Sequence, residues 1–576
     1  MATFNWIGKE KVMIHHRDVP YLVLNHSFGF NSENPLDKAY TNSGNMIIHG
    51  DNLLALKALL PQYEGRIKCI YIDPPYNTGN EKWVYNDNVN DPHIRKWLGE
   101  VVGPQGEDYS RHDKWLCMMY PRLVLLRELL SNEGVIFISI DDNEYQNLKI
   151  LCDEIFGANN LINNFVWYTE GHTDNQDIIT HVHEYILCYA KNVSNVHIRH
   201  IVDPNIPEDS KILRSFAENS ITKNGFKNAP SIVQLPVGFP CEIDRLYLKK
   251  SERCDDFYQA TKDTYITREA TKEYNMSYPV RLDEMKVEKG HLSQPCRVFS
   301  GWMNAGKLRS FIANGCKPIE EEAGTNLFFY LSKNGVIYYR RSGRQSHYVQ
   351  SVLQNMGTTE KNKYILEAMG VSFDYPKPIE LISYLLSLFT NDGDIVLDSF
   401  AGSGSTAHAL MELDKSEGLH RKFILVELND YAETLTAYRV ISAMTGFGKK
   451  DKYIPGIPGA FDYFELGEPL FNQNNCLNES VGEDVIREYI YYSETKRPLT
   501  RPHLDGEYIL DTFDQVGYYF YYRKGEATVL SVDTLSIVTE KAESYVIYAD
   551  ICNLSESFLV KHNIVFKQIP RDIKHF

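Results

Sequence analysis

The sequence predicts an α/β protein: a Rossmann-like, largely parallel sheet with helices on both faces, an inserted domain, and a C-terminal α+β domain. Three observations predict it. Short apolar runs end in turn residues and lead into helical patterns in four places. That rhythm disappears between about 196 and 370, and the composition changes again after about 455. Strands alternating with helices bury a parallel sheet on both faces. A chain of 576 residues is also too long for one ordinary core.

The elements follow in order. Met46-Ile47-Ile48 turns at Gly50-Asp51 into an apolar helix, Leu53 to Leu60, that Pro61 is expected to stop. A buried-type strand from Ile67 to Ile72 ends in Asp73-Pro74-Pro75-Tyr76-Asn77-Thr78-Gly79. After a long polar loop, a helix is expected from about Asp113 to Leu130, bent by Pro121. The strand Gly134 to Ile140 runs into Asp141-Asp142-Asn143, a cap for the next helix. Further on, Ile395-Val396-Leu397 leads to Asp398-Ser399-Phe400-Ala401-Gly402-Ser403-Gly404 and a helix from Ser405 to Leu413. The strand Phe423 to Val426, then Glu427, and a helix from about Asp430 complete the pattern. The expected divisions are an N-terminal extension (1–45), a first half of the sheet domain (46–195), an insertion (196–370), a second half (371–455) and a C-terminal domain (456–576).

Composition bounds the function. The net charge of −16 gives no hint of nucleic acid, so any such contact needs a local basic face. Ten scattered cysteines read as reduced thiols of a cytoplasm. The N-terminus lacks an apolar targeting core. The most hydrophobic helix candidate, Leu381 to Phe389, is far short of the roughly 20 residues that span a membrane. A soluble cytoplasmic protein is expected. No G-x-x-x-x-G-K-[ST] phosphate loop is present, which argues against an ATPase or helicase.

Two constellations carry chemistry. In the first, Asp398, Phe400, Gly402 and Gly404 lie between a strand and a helix, where backbone amides can hold the polar end of a ligand. Glu427, at the tip of the following strand, is placed to accept from two ribose hydroxyls. A nucleoside-type cofactor is the expected occupant. The second, Asp73-Pro74-Pro75-Tyr76, stands at the carboxyl end of a buried strand. The exocyclic amine of a purine is a poor nucleophile because its lone pair is delocalised into the ring. The Asp73 carboxylate and the Pro74 carbonyl can accept both amine hydrogens and stabilise the charge that develops on methyl transfer. Pro74 and Pro75 fix that carbonyl and remove competing N–H donors. Tyr76 offers a face to a base swung out of its helix.

Together these motifs, with the long insertion between them, resemble the β-class amino-methyltransferases of DNA. Asp73 to Asn80, Phe137 to Asn143, His183-Glu184-Tyr185-Ile186-Leu187 and Lys377-Pro378 are similar, more specifically, to the modification subunit of type III restriction–modification systems. The resemblance covers most of 45–195 and 371–445. The middle and C-terminal parts match only by position and by the ending Ile569-Pro570-Arg571-Asp572-Ile573. It implies a Rossmann-like methyltransferase sheet dependent on S-adenosylmethionine (SAM), with 196–370 as the target-recognition domain. Asp73, Pro74, Pro75 and Tyr76 would grip an adenine flipped out of duplex DNA. Phe400, Gly402 and Gly404 would line the SAM pocket beside Asp398, with Glu427 on the ribose and Lys377 near the methionine end. Aspartate at the head of the Pro-Pro-Tyr motif is the family's usual sign of adenine. A homodimer and a helicase–nuclease restriction partner are implied as well. Ser399 stands where many relatives carry an apolar residue.

Weaker signals complete the reading. His181 and His183 alternate along a strand, and no metal site is expected, since methyl transfer from SAM needs no Lewis acid. Arg340, Arg341 and Arg344 form the densest basic cluster of the insertion and, with Asn77, are candidate DNA contacts. Trp83, Trp97 and Trp115 are either core residues or part of a base-flipping wall. The rival readings are a sequence-reading scaffold subunit and a methyltransferase for RNA or protein amides.

Overall fold

The computed structural model describes residues 4–78, 108–169, 181–199, 201–207, 210, 216–321, 325–342, 348–449 and 452–571. The chain divides into two compact units, one formed by Met1–Arg199 with Gln350–Phe576 and the other by His200–Val349.

In the first unit, ten strands among the described residues form one sheet. In chain order they are β1 (Leu22–Asn31), β2 (Met46–His49), β3 (Ile67–Ile72), β4 (Leu130–Ile140), β5 (Leu161–Tyr168) and β6 (His183–Ala190). β7 (Val352–Leu353), β8 (Ile395–Asp398), β9 (Lys422–Glu427) and β10 (Ala460–Pro469) follow. The spatial order is β1-β10-β2-β9-β8-β3-β4-β6-β5-β7. From β10 to β4 every neighbouring pair is parallel. β6 then runs antiparallel to both β4 and β5. The central strands are apolar on both faces; Ile67, Cys69, Ile70 and Ile72 are all fully buried. Such runs are what a parallel sheet covered by helices requires. Helices α1 (Asn52–Tyr63), α2 (Asp108–Leu129), α3 (Tyr145–Cys152), α4 (Ile379–Ser387), α5 (Ser405–Glu417) and α6 (Tyr438–Thr445) accompany it.

Several boundaries differ from those expected. Helix α1 passes through Pro61 and closes at Tyr63, because a proline near the last turn removes only one backbone donor. Its start is capped by Asp51, whose carboxylate accepts from the Leu53 amide at 2.7 Å. β4 begins at Leu130, continuing through a register shift opposite β3. Asp141 does not cap α3; it accepts from the Asn143 amide at 2.9 Å and tightens the turn before the helix.

The domain limits also move. The expected extension 1–45 contributes β1, and the expected C-terminal domain (456–576) contributes β10, so both close the parallel sheet at one edge. Phe28 stacks on Tyr463 across this pair at 4.9 Å between ring centroids, and such cross-strand aromatic pairs stabilise a strand pairing by roughly 0.2 to 1 kcal/mol each. At the other edge β7 pairs with β5, so the insertion ends at 349, not 370. What remains of the C-terminal part includes a helix (Glu483–Thr495), a four-stranded sheet, a two-stranded sheet and a short helix (Glu556–Lys561). Its last described residue, Arg571, is locked to Asp550 by two 2.5 Å hydrogen bonds.

The second unit is built of short strands. A four-stranded sheet of Ile319–Glu320, Asn326–Leu331, Ile337–Ser342 and Phe216–Ser220 is antiparallel throughout. Two three-stranded sheets accompany it. Among the described residues of the whole chain, no helix is long and apolar enough to cross a membrane.

Candidate active site

β8 and β3 are adjacent and parallel, so the turn after Asp398 and the turn after Ile72 emerge side by side at the carboxyl edge of the sheet. Ligands of open α/β sheets bind at that edge. β9, on the far side of β8, brings Glu427 to the same edge.

Asp73 lies in a network of charged and hydroxyl groups. The Tyr76 hydroxyl is 2.9 Å from Asp73 Oδ1 and 2.9 Å from Glu184 Oε2. Lys377 Nζ donates to the Tyr76 hydroxyl at 2.7 Å and to Glu184 at 2.9 Å, and stands 3.3 Å from Asp73. The ammonium also lies 4.8 Å from the centre of the Tyr76 ring and 5.8 Å from that of Trp167. Burial pushes the Asp73 carboxyl above its ordinary range; Lys377 pulls it back and Glu184 pushes it further up. For Lys377, burial favours the neutral amine, but Asp73 and Glu184 outweigh it and hold the ammonium charged. Burial and the same two carboxylates keep Tyr76 protonated.

The loop is held from below. Trp115, fully buried in α2, donates its indole N–H to the Pro75 carbonyl at 2.7 Å. Asn77 adopts a left-handed conformation (φ 60°) and donates to the buried Glu144, which also takes His112 at 2.7 Å and Asn147 at 2.8 Å. Asn77 is therefore a buried brace of the loop with no surface for DNA, which corrects the expected contact.

The glycine turn is equally specific. Gly402 and Gly404 have φ of +51° and +78°, values that side chains rarely adopt. A Cβ on Gly404 would approach the Thr436 carbonyl oxygen to 3.1 Å. The Asp398 carboxylate accepts from the Phe400 amide at 2.9 Å and the Thr406 hydroxyl at 2.5 Å, which shapes the turn. Burial raises this carboxyl to about 7 against those two donors, with the charges of Asp73 and Glu427 adding to the rise. Glu427 accepts from the Gly402 amide at 2.7 Å and from Asn429 through its amide and side chain. Beneath the turn, the fully buried Arg439 donates to Ser403 and Ser405 at 2.8 and 2.7 Å. Phe400 and Ser399 are buried at the head of the turn.

The structure thus brings together Asp73, Pro74, Pro75, Tyr76 and Lys377 in one cluster, and Asp398, Phe400, Gly402, Gly404 and Glu427 in the neighbouring turn. Lys377 faces the Asp73 cluster. Of the two tryptophan readings, Trp115 is core; Trp83 and Trp97 lie outside the described residues. So does Arg344. The expected single basic patch is not formed by Arg340 and Arg341, because successive residues of a strand face opposite ways. Arg340 pairs with Glu218 at 2.8 Å, and Arg341 with Glu321 at 2.6 Å. His183 contacts the Tyr185 hydroxyl at 3.1 Å, and His181 pairs with Asp142 at 3.2 Å. Neither sequence motif gives Glu184 a role. Its signals were a charge at the head of an apolar strand and its place in the stretch His183 to Leu187.

Residues 67–438 match the DNA methylase family. This stretch includes both turns. The chain belongs to the DNA methylase family. Among relatives of this DNA methylase, the EcoP15I Mod subunit of a type III restriction-modification enzyme from Escherichia coli is 30% identical over 447 residues, 74% of this chain and 64% of the relative. The StyLTI Mod subunit from Salmonella typhimurium is 32% identical over 406 residues, 67% of this chain and 53% of the relative. The type II methyltransferase M.KpnI of Klebsiella pneumoniae is 28% identical over 429 residues, 73% of this chain and 88% of that protein. The matched stretch thus spans between about half and two thirds of the two Mod subunits.

Proposed function

We propose that this DNA methylase transfers a methyl group from SAM to N6 of an adenine flipped out of duplex DNA. The observation that carries the reading is the placement of the Asp73 carboxylate and the glycine turn at the carboxyl ends of two adjacent parallel strands. A base held by one turn then meets a cofactor held by the other.

The second turn fits SAM. Its left-handed glycines give a side-chain-free approach, and Glu427 supplies a buried acceptor for hydroxyls at the tip of β9. When bound, SAM supplies an electrophilic methyl on a sulfonium. The rest of the chemistry falls to the chain. Asp73 and the Pro74 carbonyl accept the two amine hydrogens, which turns the nitrogen lone pair out of the ring plane. The Tyr76 ring, with Lys377 over one face, has its opposite face for the base. As the nitrogen gains the methyl group it becomes positively charged and gives up one proton, which Asp73 is placed to take.

The Mod relatives support a place for this chain as the modification subunit of a type III system, with a restriction subunit as partner. The homodimer and the cytoplasmic location stand as part of the same proposal. Co-purification of a helicase–nuclease encoded beside it tests the partner, and sedimentation tests the dimer.

The decisive experiment is single-molecule sequencing of DNA from cells expressing this chain or its Asp73→Ala variant. N6-methyladenine at one short motif, absent from the variant, is expected. A methylated motif that persists in the variant overturns the role of Asp73. No new methylated motif overturns the reaction.

A further inference from the structure

We infer that Glu184 is a positioning residue for methyl transfer, a second carboxylate that draws Lys377 and the Tyr76 hydroxyl off Asp73 and leaves Asp73 free to accept the adenine amine. The inference rests on the methyltransferase reading and adds to it a residue to which neither motif gives a role.

Topology explains how Glu184 reaches the site. β6 runs antiparallel to β4, with Tyr185 opposite Ile140, so the first residues of β6 lie at the carboxyl edge of β4. That is the edge from which Asp73 emerges on β3. A charged residue at the head of the apolar run Tyr185 to Ala190 thus arrives beside the catalytic turn, not at the opposite end of the sheet.

The distances state the competition. Lys377 Nζ is 2.9 Å from Glu184 but 3.3 Å from Asp73. The Tyr76 oxygen is 2.9 Å from each carboxylate, yet it has one proton and can donate to only one of them at a time. With Asp73 alone, the ammonium and the phenol would both converge on it, neutralise it and occupy the lone pairs that the amine needs. With Glu184 present, two carboxylates share one cation, and the cluster keeps a net negative charge for the positive charge that develops on the amine.

A bridge that only stabilised the fold would not need this arrangement. Exchanging a buried ion pair for well-packed apolar residues is often neutral or stabilising. Among the described residues, the other ionisable groups facing the cluster are Tyr71 beneath it, Asp141 at the end of β4 and Asp398 at the end of β8. None of these is a cation, so among the described residues Lys377 is the positive charge that the two carboxylates divide.

The test uses the full-length chain, with Glu184→Gln, Glu184→Asp and Glu184→Ala beside wild type. Single-turnover methylation of a duplex carrying the motif methylated by wild type is followed from about pH 5.5 to about pH 9. SAM affinity is measured by calorimetry and folding by thermal unfolding. In Glu184→Gln the rate is expected to fall at least about tenfold, with SAM affinity within about threefold of wild type. The acid limb of its rate profile is expected to move to lower pH, because Lys377 now serves Asp73 alone and a neighbouring negative charge is gone. Glu184→Asp should recover part of the rate. An unchanged rate and limb in Glu184→Gln overturns the inference. So does a lower rate with an unmoved limb, or one accompanied by loss of SAM binding or of folding, since each makes Glu184 structural. Wild-type protein that methylates no duplex DNA fails at the earlier step and removes the reading on which the inference stands.

Discussion

Lys377 donates to the hydroxyl of Tyr76 at 2.7 Å, a bond between residues 301 positions apart that ties the two halves of the sheet domain at the carboxyl edge of the sheet. The ammonium sits among two carboxylates and two aromatic rings, with its side chain only 10% exposed. Replacing it by methionine keeps the bulk and removes the charge. Lys377→Met should cost roughly 3 kcal/mol of stability by leaving Asp73 and Glu184 uncompensated. It should also abolish methylation while SAM affinity falls by less than about threefold. Urea unfolding and calorimetry check both parts. A large loss of SAM affinity would put the ammonium on the cofactor instead of on the catalytic turn.

Asp398 makes stability depend on pH in an unusual direction. Its carboxyl is raised to about 7 by burial, so the folded chain binds a proton that the unfolded chain releases in the ordinary carboxylate range. Between those two values folding takes up a proton, and stability falls as pH rises. The contribution is fully present below the ordinary range and lost as pH climbs through about 7. Asp398→Asn, which mimics the protonated acid, should be more stable than wild type at pH 8 by on the order of 1 to 3 kcal/mol. The gap should close toward pH 5. Urea unfolding at the two pH values measures it, and a gap that widens on acidification would refute the assignment.

What the sequence made legible was the set of strands buried on both faces. β3, β4, β8 and β9 are near-continuous apolar runs, and the candidate site residues stand at the ends of β3, β8 and β9, so strand and site were read together. β1 and β10 escaped because β1, at the sheet edge, carries polar residues, and their pairing joins segments more than 400 residues apart. The two cluster arginines looked like one patch in sequence, yet strand alternation sends Arg340 and Arg341 to different carboxylates. Glu184 acquires its meaning only through the antiparallel direction of β6, which no local pattern around it states.

Trp115 holds the Asp73–Tyr76 turn through one hydrogen bond to the Pro75 carbonyl. Trp115→Phe keeps an aromatic ring in a fully buried position and removes the donor. The stranded carbonyl should cost about 1 to 3 kcal/mol. Release of the Pro74–Pro75 segment should lower single-turnover methylation by about tenfold, because the amine acceptors no longer sit in register. Retention of the wild-type rate would mean that the two prolines alone hold the turn.

Arg571 closes the C-terminal sheet in the same manner, from the far end of the chain. Its side chain is 2% exposed and forms two 2.5 Å bonds with Asp550, itself fully buried, while a 2.7 Å bond reaches Glu479. Removing only the cation leaves a carboxylate in a medium that solvates it poorly. Arg571→Met should therefore destabilise by roughly 3 to 5 kcal/mol, more than the pair itself contributes. Removing both charges relieves that penalty, so Arg571→Met with Asp550→Asn should recover part of the loss. Because local opening follows local stability, limited proteolysis should cut the single variant between 470 and 571 well before wild type. Equal instability of the single and double variants would show that Arg571 acts through its bonds to backbone carbonyls and not through Asp550.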